Sequence, residues 1–335
     1  MKKRILFCLA ALGTASMLFG FDSAETADGL LEKMQAASKD AAGAVMDMGM
    51  NVNVGVNISD GTTTSTLNVA MSGDFDMAMN MDPLAMSMDG SMTVSGLGQN
   101  ETIAMKMYGV TDENQQFNTY VYTEDSTSGE SGWEYESSDM SGLDMASLME
   151  ASANIDYSEW GMNFELAPEA VDVNGTECYL LSTVIDSESF NTMITKSAEM
   201  TGQDLTSDEN VQMVLSMLGG LKMKLEYYVD AATYLPVKFH MDLNDSDMSA
   251  INQYAAMAMG QMAEGSSVEI ALNDVSVDAT MTYGEANDIT VPEEALAAVE
   301  SGEASSLEEL VENTDVSAEV ATEATTEAVT EAVSE

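Results

Sequence analysis

A single histidine, His240, and two cysteines, Cys8 and Cys178, are all the side chains of those types that this 335-residue chain has for catalysis or tight metal binding. A general base acts only when a partner orients it. His240 falls on the polar side of an alternating stretch, which reads as a solvated strand residue. Cys178 stands in an apolar run before Tyr179. It reads as a buried core thiol, because reactive thiols need electropositive surroundings. No motif joins the two into a dyad. The 58 acidic residues could supply a carboxylate pair or Ca²⁺ ligands, but no Asp-x-Asp-x-Asp-Gly loop with a distal Glu occurs. They read as solvated faces, and the chain is expected to be non-enzymatic, with no cofactor and no metal.

Methionine is the remaining candidate. The chain has 30. "MSGDFDMAMNMDPLAMSMDGSM" (71–92) alone holds Met71, Met77, Met79, Met81, Met86, Met88 and Met92, alternating with Asp, Asn, Ala and Ser. Thioethers suit Cu(I), and they also fill irregular apolar space. Along a strand, every second residue shares a face at about 6.6 Å spacing. Alternation therefore sets the sulfurs in a line, whereas a methionine-only metal site needs three to converge. An apolar face is the stronger reading, and copper the weaker. That face is either an ordinary closed core or an adaptable ligand surface. The scarcity of Leu and Ile on these strands favours the second, since a uniquely packed core uses branched residues.

These residues need strands to position them, and the pattern supplies them. Residues 29–42 have helical spacing at Leu30, Leu31, Met34, Ala37 and Ala41. Period two then takes over through Met48–Ile58 and Leu67–Met81, breaks at Asp82-Pro83, and resumes through Met86–Val94 and Ile103–Met107. Further strands are expected at 117–123, 132–137, 161–167, 177–185, 221–230, 235–244 and 267–284, with a turn at 173–175. Helical spacing marks 143–153, a segment around Phe190–Ser197, another around Val211–Leu218, and 248–262. Adjacent strands joined by short polar turns favour an antiparallel meander.

The charge balance is 10 basic against 58 acidic residues, formally −48. Beyond Arg4 no arginine occurs. Nucleic acid is excluded as a partner, because its phosphates need Lys and Arg. "MKKR", the apolar run from Ile5 and the small residues after it read as an export signal within residues 1–27. Leu18-Phe19-Gly20 resembles a bacterial lipoprotein processing site, but Phe21 stands where the lipid-bearing Cys is required. The expectation is therefore a secreted or cell-surface protein with a doubtful lipid anchor and no transmembrane span in the processed chain. With Cys8 in the signal region, Cys178 has no internal disulfide partner. From about residue 300 the chain becomes an acidic Ala/Thr/Glu/Val tail of low complexity, expected to be solvated.

One hairpin carries a family resemblance. "LKMKLEYYVDAATYLPVKFHMDL" contains Tyr228, Asp230, Thr233, Leu235, Pro236, Val237 and Lys238 in a Y-x-D-x-x-T-x-L-P-V-K pattern. It resembles the strand–turn–strand of lipoprotein-carrier-like extracytoplasmic proteins. "VNGTECYLLS" (173–182) and "YGEANDITVPEEALAA" (283–298) resemble two further segments of that group. The resemblance spans 28–299 and is closest to uncharacterised Gram-positive surface lipoproteins, more distantly to the LolA and LprG type of carrier. It implies an α+β fold: a large curved antiparallel sheet, an open half-barrel, with helices covering the concave face. It also implies a hydrophobic ligand (a lipid, acyl chain or lipopeptide) between sheet and helices. The ligand-facing residues expected on this basis are Met71, Phe75, Met77, Met79, Met86, Met88, Met105, Met107, Leu225, Tyr227, Val237, Phe239 and Met241. A closed surface module with a protein partner is the alternative.

Overall fold

The computed structural model describes residues 26–39, 41–59, 63–81, 83–96, 99–129, 131–139, 157–201, 216, 218–259, 267–285, 287–302 and 305–306. Within these, α1 (Ala27–Lys39) leads into six meandering strands: β1 (Gly43–Ser59), β2 (Thr64–Met81), β3 (Leu84–Gly96), β4 (Gln99–Thr111), β5 (Gln116–Asp125) and β6 (Ser131–Asp139). After a 3-10 turn at Tyr157–Trp160 come β7 (Glu165–Leu166), β8 (Val171–Val173), β9 (Thr176–Ile185) and α2 (Ser187–Thr201). Then follow β10 (Met223–Asp230), β11 (Pro236–Asp242), α3 (Ser249–Met259), β12 (Ser267–Gly284), α4 (Glu293–Ser301) and the two-residue β13 (Ser305–Ser306).

All strands join one open 13-stranded sheet in the order β13-β6-β5-β4-β3-β2-β1-β12-β11-β10-β9-β7, with β8 paired to β9. The pairings are antiparallel except β13 on β6. This is the expected α+β half-barrel. One expectation differs in detail: the strand at 161–167 shrinks to Glu165–Leu166. A helix not read from the sequence forms at Glu293–Ser301 behind Pro292, closed by Gly302 in the left-handed region. The helices expected at 143–153 and around 211–218 lie outside the described residues, apart from Ser216 and the short turn Leu218–Gly220.

Turn chemistry sets the joints. Asn174 and Gly175 both take positive φ (55° and 89°), the requirement of a two-residue type I′ hairpin, and Asn-Gly meets it at little cost. In the β10–β11 turn, Asp230 accepts hydrogen bonds from the Ala232 amide (2.8 Å) and the Thr233 hydroxyl (2.7 Å). Those are the Asp and Thr of the family-like hairpin. Tyr234 next to them receives a hydrogen bond from Lys33 Nζ at 3.2 Å, and the same ammonium lies 4.4 Å from the Tyr234 ring centroid. The hairpin thus helps hold α1 on the sheet.

The buried core lies under α1. Leu30, Leu31 and Met34 pack with Leu181, Ile185, Leu225, Tyr227, Val229, Phe239, Ala279 and Met281. Tyr157, Phe164, Tyr227 and Phe239 form a chain of tilted and edge-on rings 5.1–6.0 Å apart, a spacing that favours such pairs. Burial pushes the Tyr157 hydroxyl up to about 12. Cys178 is fully buried, as expected, and burial first, then Asp230 and Asp172, push its thiol up. It remains a protonated packing residue.

Curvature shows where β2 and β3 meet. A Cβ on Gly90 would fall against the Asp74 carbonyl oxygen and 2.5 Å from Phe75 Cδ1, and one on Gly73 would lie 2.7 Å from Phe75 Cε2. The Phe75 ring therefore lies flat over two glycines, filling the space a tightly coiled sheet leaves there. The opposite face is polar. Lys238 Nζ lies 2.9 Å from Asp278 Oδ1, His240 Nδ1 3.2 Å from the same oxygen, and His240 Nε2 3.4 Å from Asp242. His240 is thus half-buried between two carboxylates rather than freely solvated.

Two outcomes follow. Gly90→Ala should cost about 1–3 kcal/mol through overpacking, read as a lowered urea midpoint at unchanged slope. Burial alone would raise the Asp278 carboxyl, but the Lys238 hydrogen bond and the His240 and Lys238 charges hold it below its ordinary value of 3.8. A depressed folded-state value stabilises the fold above the unfolded value and loses that contribution as pH falls through the folded one. Urea midpoints should therefore drop with acid more steeply for the natural chain than for Asp278→Asn.

Candidate functional site

Directly opposed residues of an antiparallel pair point to the same face. The register therefore shows what alternation alone hides. Met281 of β12 faces Met46 of β1, Met46 faces Met77, Met77 faces Met88, and Met88 faces Met107. Five thioethers thus form one row across five strands, spanning about 19 Å at about 4.8 Å per strand. The next row runs Tyr283, Ala44, Met79, Met86, Gly109. On the other side run Ala279, Met48, Phe75, Gly90, Met105 and then Val277, Met50, Gly73, Met92, Ile103. The methionines form a grid, not a line.

The grid has defined borders. Beyond Met107 its row continues to Val121 and ends at Glu134, and one row over Thr119 faces Glu136. Along the strands, Met71 and Val94 lead to Glu101. Towards β12 the grid merges with the buried core, where Met46 and Met48 pack against the α1 cluster.

Twelve of the thirteen residues expected to face a ligand have a register that puts them on this side, and the structure divides them. Leu225, Tyr227 and Phe239 are buried with α1, and Met241 packs against that cluster. Val237 lies at a bulge opposite the Tyr228–Val229 step and is half-buried. Leu225, Tyr227, Phe239 and Met241 are thus engaged by the protein's own core. Met71, Phe75, Met77, Met79, Met86, Met88, Met105 and Met107 are half-buried and stand outside that core cluster.

The ligand-facing set left out Met46, Met50, Met92 and Met281, although Met50 and Met92 stand in the alternating runs, and the cross-strand order was missed altogether. A signal for it was available. β2 and β3 meet at the pair Met81–Leu84, so only Asp82 and Pro83 separate them, and counting outward from that turn yields Met79–Met86 and Met77–Met88.

A groove of about 790 Å³ lies on the opposite, polar face. It is lined by Asp47, Asp76, Lys238, Asp278 and Thr280, and by the Asp172–Asn174 turn. Its carboxylates and lysine suit a polar occupant, not an apolar one. No group of three or more His, Cys, Asp or Glu positioned to hold a metal occurs among the described residues, and none of the described helices is long and apolar enough to cross a membrane.

The chain is similar to several solved structures. Against the lipoprotein LppX of Mycobacterium tuberculosis it shows 12% identity and a TM-score of 0.31, covering 77% of this chain and 94% of that one. Against LprF of Mycobacterium bovis the identity is 14% and the TM-score 0.33, covering 82% and 99%. A putative outer membrane lipoprotein-sorting protein domain from Vibrio parahaemolyticus matches with 10% identity and a TM-score of 0.20, covering 80% and 94%. A search of the curated proteins gives no match. The model of a family of unknown function, DUF6612, matches residues 26–300, and the chain belongs to that family.

Proposed function

We propose that this is an exported, non-catalytic protein that holds a hydrophobic guest, such as a lipid or acyl chain, on the methionine grid of β1–β4. The carrying observation is the register that lines Met46, Met77, Met88 and Met107 across four strands while Met77, Met88 and Met107 remain half-buried and outside the α1 core. Unbranched, polarizable side chains adapt to guests of irregular shape. Each methylene moved from water onto such a surface contributes about 0.8 kcal/mol, so a long acyl chain outweighs the cost of ordering it. On this reading residues 28–299 are the binding domain, residues 1–27 the export signal and residues 300–335 a solvated acidic extension, with the cell surface or exterior as location. The guest meets Phe75, Met79, Met86 and Met105 beside the central row, with Met71 at its margin. Leu225, Tyr227, Val237, Phe239 and Met241 form the wall it abuts.

A second reading has its own support. The burial of Leu225, Tyr227 and Phe239 under α1 suits a closed module whose grid is an extension of its own core, and whose polar exterior meets a protein partner.

The two part in one experiment. Protein purified from a lipid-containing host is examined by native mass spectrometry and titrated with a fluorescent fatty acid. The carrier reading expects bound lipid and saturable probe binding that weakens at least tenfold in Met77→Asp/Met88→Asp, with circular dichroism unchanged. No lipid in the purified protein together with no probe binding rejects the carrier and leaves the closed module.

A further inference from the structure

We infer that Met77, Met79, Met86 and Met88 form a thioether site for a soft monovalent cation, Cu(I). The inference is independent of the guest reading and rests on the register. Met77 is directly opposite Met88, and Met79 directly opposite Met86. Opposed Cβ atoms are about 5 Å apart and same-face neighbours along a strand about 6.6 Å. The four Cβ atoms therefore mark a small rectangle, each about 4 Å from its centre. A methionine carries its sulfur two carbons out on freely rotating bonds, so three of the four sulfurs can meet above that centre. This is the convergence that alternation along one strand lacks. Met46 and Met107, opposite Met77 and Met88 in the same row, give the site neighbouring ligands of the same kind.

The surroundings select the ion. Phe75, Gly90, Met105 and Gly109 share this face, so among the described residues the nearest side chains offer sulfur or carbon and no oxygen or nitrogen. Hard cations find no ligand there, whereas thioethers favour Cu(I). Neutral thioethers leave the positive charge on the ion. Across the sheet, Asp47, Asp76 and Asp89 stand directly opposite one another in one row. Lys106, 3.7 Å from Asp89, ends that row on one side, and Lys238 lies beyond Thr280 on the other. The row keeps a net negative charge under the rectangle, in a chain with a formal charge of −48. A monovalent cation on the methionine face relieves that repulsion.

The test uses the full chain with Cys8→Ser and Cys178→Ser, so that no thiol competes. It is titrated anaerobically with Cu(I) against a chromogenic Cu(I) chelator. About one equivalent is expected to be withheld from the chelator. Met77→Leu/Met79→Leu/Met86→Leu/Met88→Leu keeps the apolar volume and should lose at least tenfold in Cu(I) affinity, with its urea midpoint little changed. Should that variant fail to fold, Ag(I) is added to the parent protein labelled at the methionine methyls, and the four assigned resonances should shift ahead of all others. No Cu(I) withheld by the parent, equal affinity in the leucine variant, or Ag(I) shifts elsewhere would each overturn the site.

Discussion

The molecule depends on strand register. In an antiparallel sheet a slip of one residue would turn every side chain of a strand to the other face. The methionine rows exist only because β1 through β4 pair without slipping over the Met46–Met107 rows. The same register places Asp47, Asp76 and Asp89 side by side on the outer face, where like charges oppose pairing. Burial of the apolar side must outweigh that repulsion. The cost explains why the polar rows recruit whatever balance the chain has, including Lys106, Lys238 and His240.

Two regions with different packing follow from one continuous sheet. Under α1 most of the buried side chains are branched or aromatic, tilted rings lie close together, and burial is nearly complete. On β2–β4 the central rows are dominated by unbranched methionines, and these are half-buried. The border runs along β1, whose Met46 and Met48 belong to both. One part of the sheet is therefore specified by shape and the other by apolar character alone, which is the difference between a core and a surface made to accommodate.

Much of this was legible in the amino-acid order. Period-two alternation located β1–β5, and the strand expected at 267–284 coincides with β12, because long amphipathic strands carry a strong signal. The Asp230–Thr233 turn was legible because its residues are chosen for local hydrogen bonds. The strand at 161–167 was over-read: Met162, Phe164 and Leu166 do pack inward, but only Glu165–Leu166 joins β9. Apolar alternation reports burial, whereas ladder pairing depends on what lies alongside. The division of the thirteen ligand-facing candidates was not legible for the same reason. Phe239 and Met88 carry similar local patterns, and only the arrival of α1, about 200 residues away in sequence from Phe239, makes one a core residue.

The parallel pairing of Ser305–Ser306 with Glu134 and Tyr135 on β6 has a consequence for how copies of this protein behave together. An open sheet ends in unpaired backbone groups that invite a strand from another molecule. Here the chain's own C-terminal segment occupies part of that edge, and the residues that follow it, from Leu307 to Glu335, carry glutamates and an aspartate but no lysine or arginine. A second copy approaching β6 at Glu134 and Tyr135 meets a strand already in place. That part of the edge is thereby closed to strand addition from another molecule.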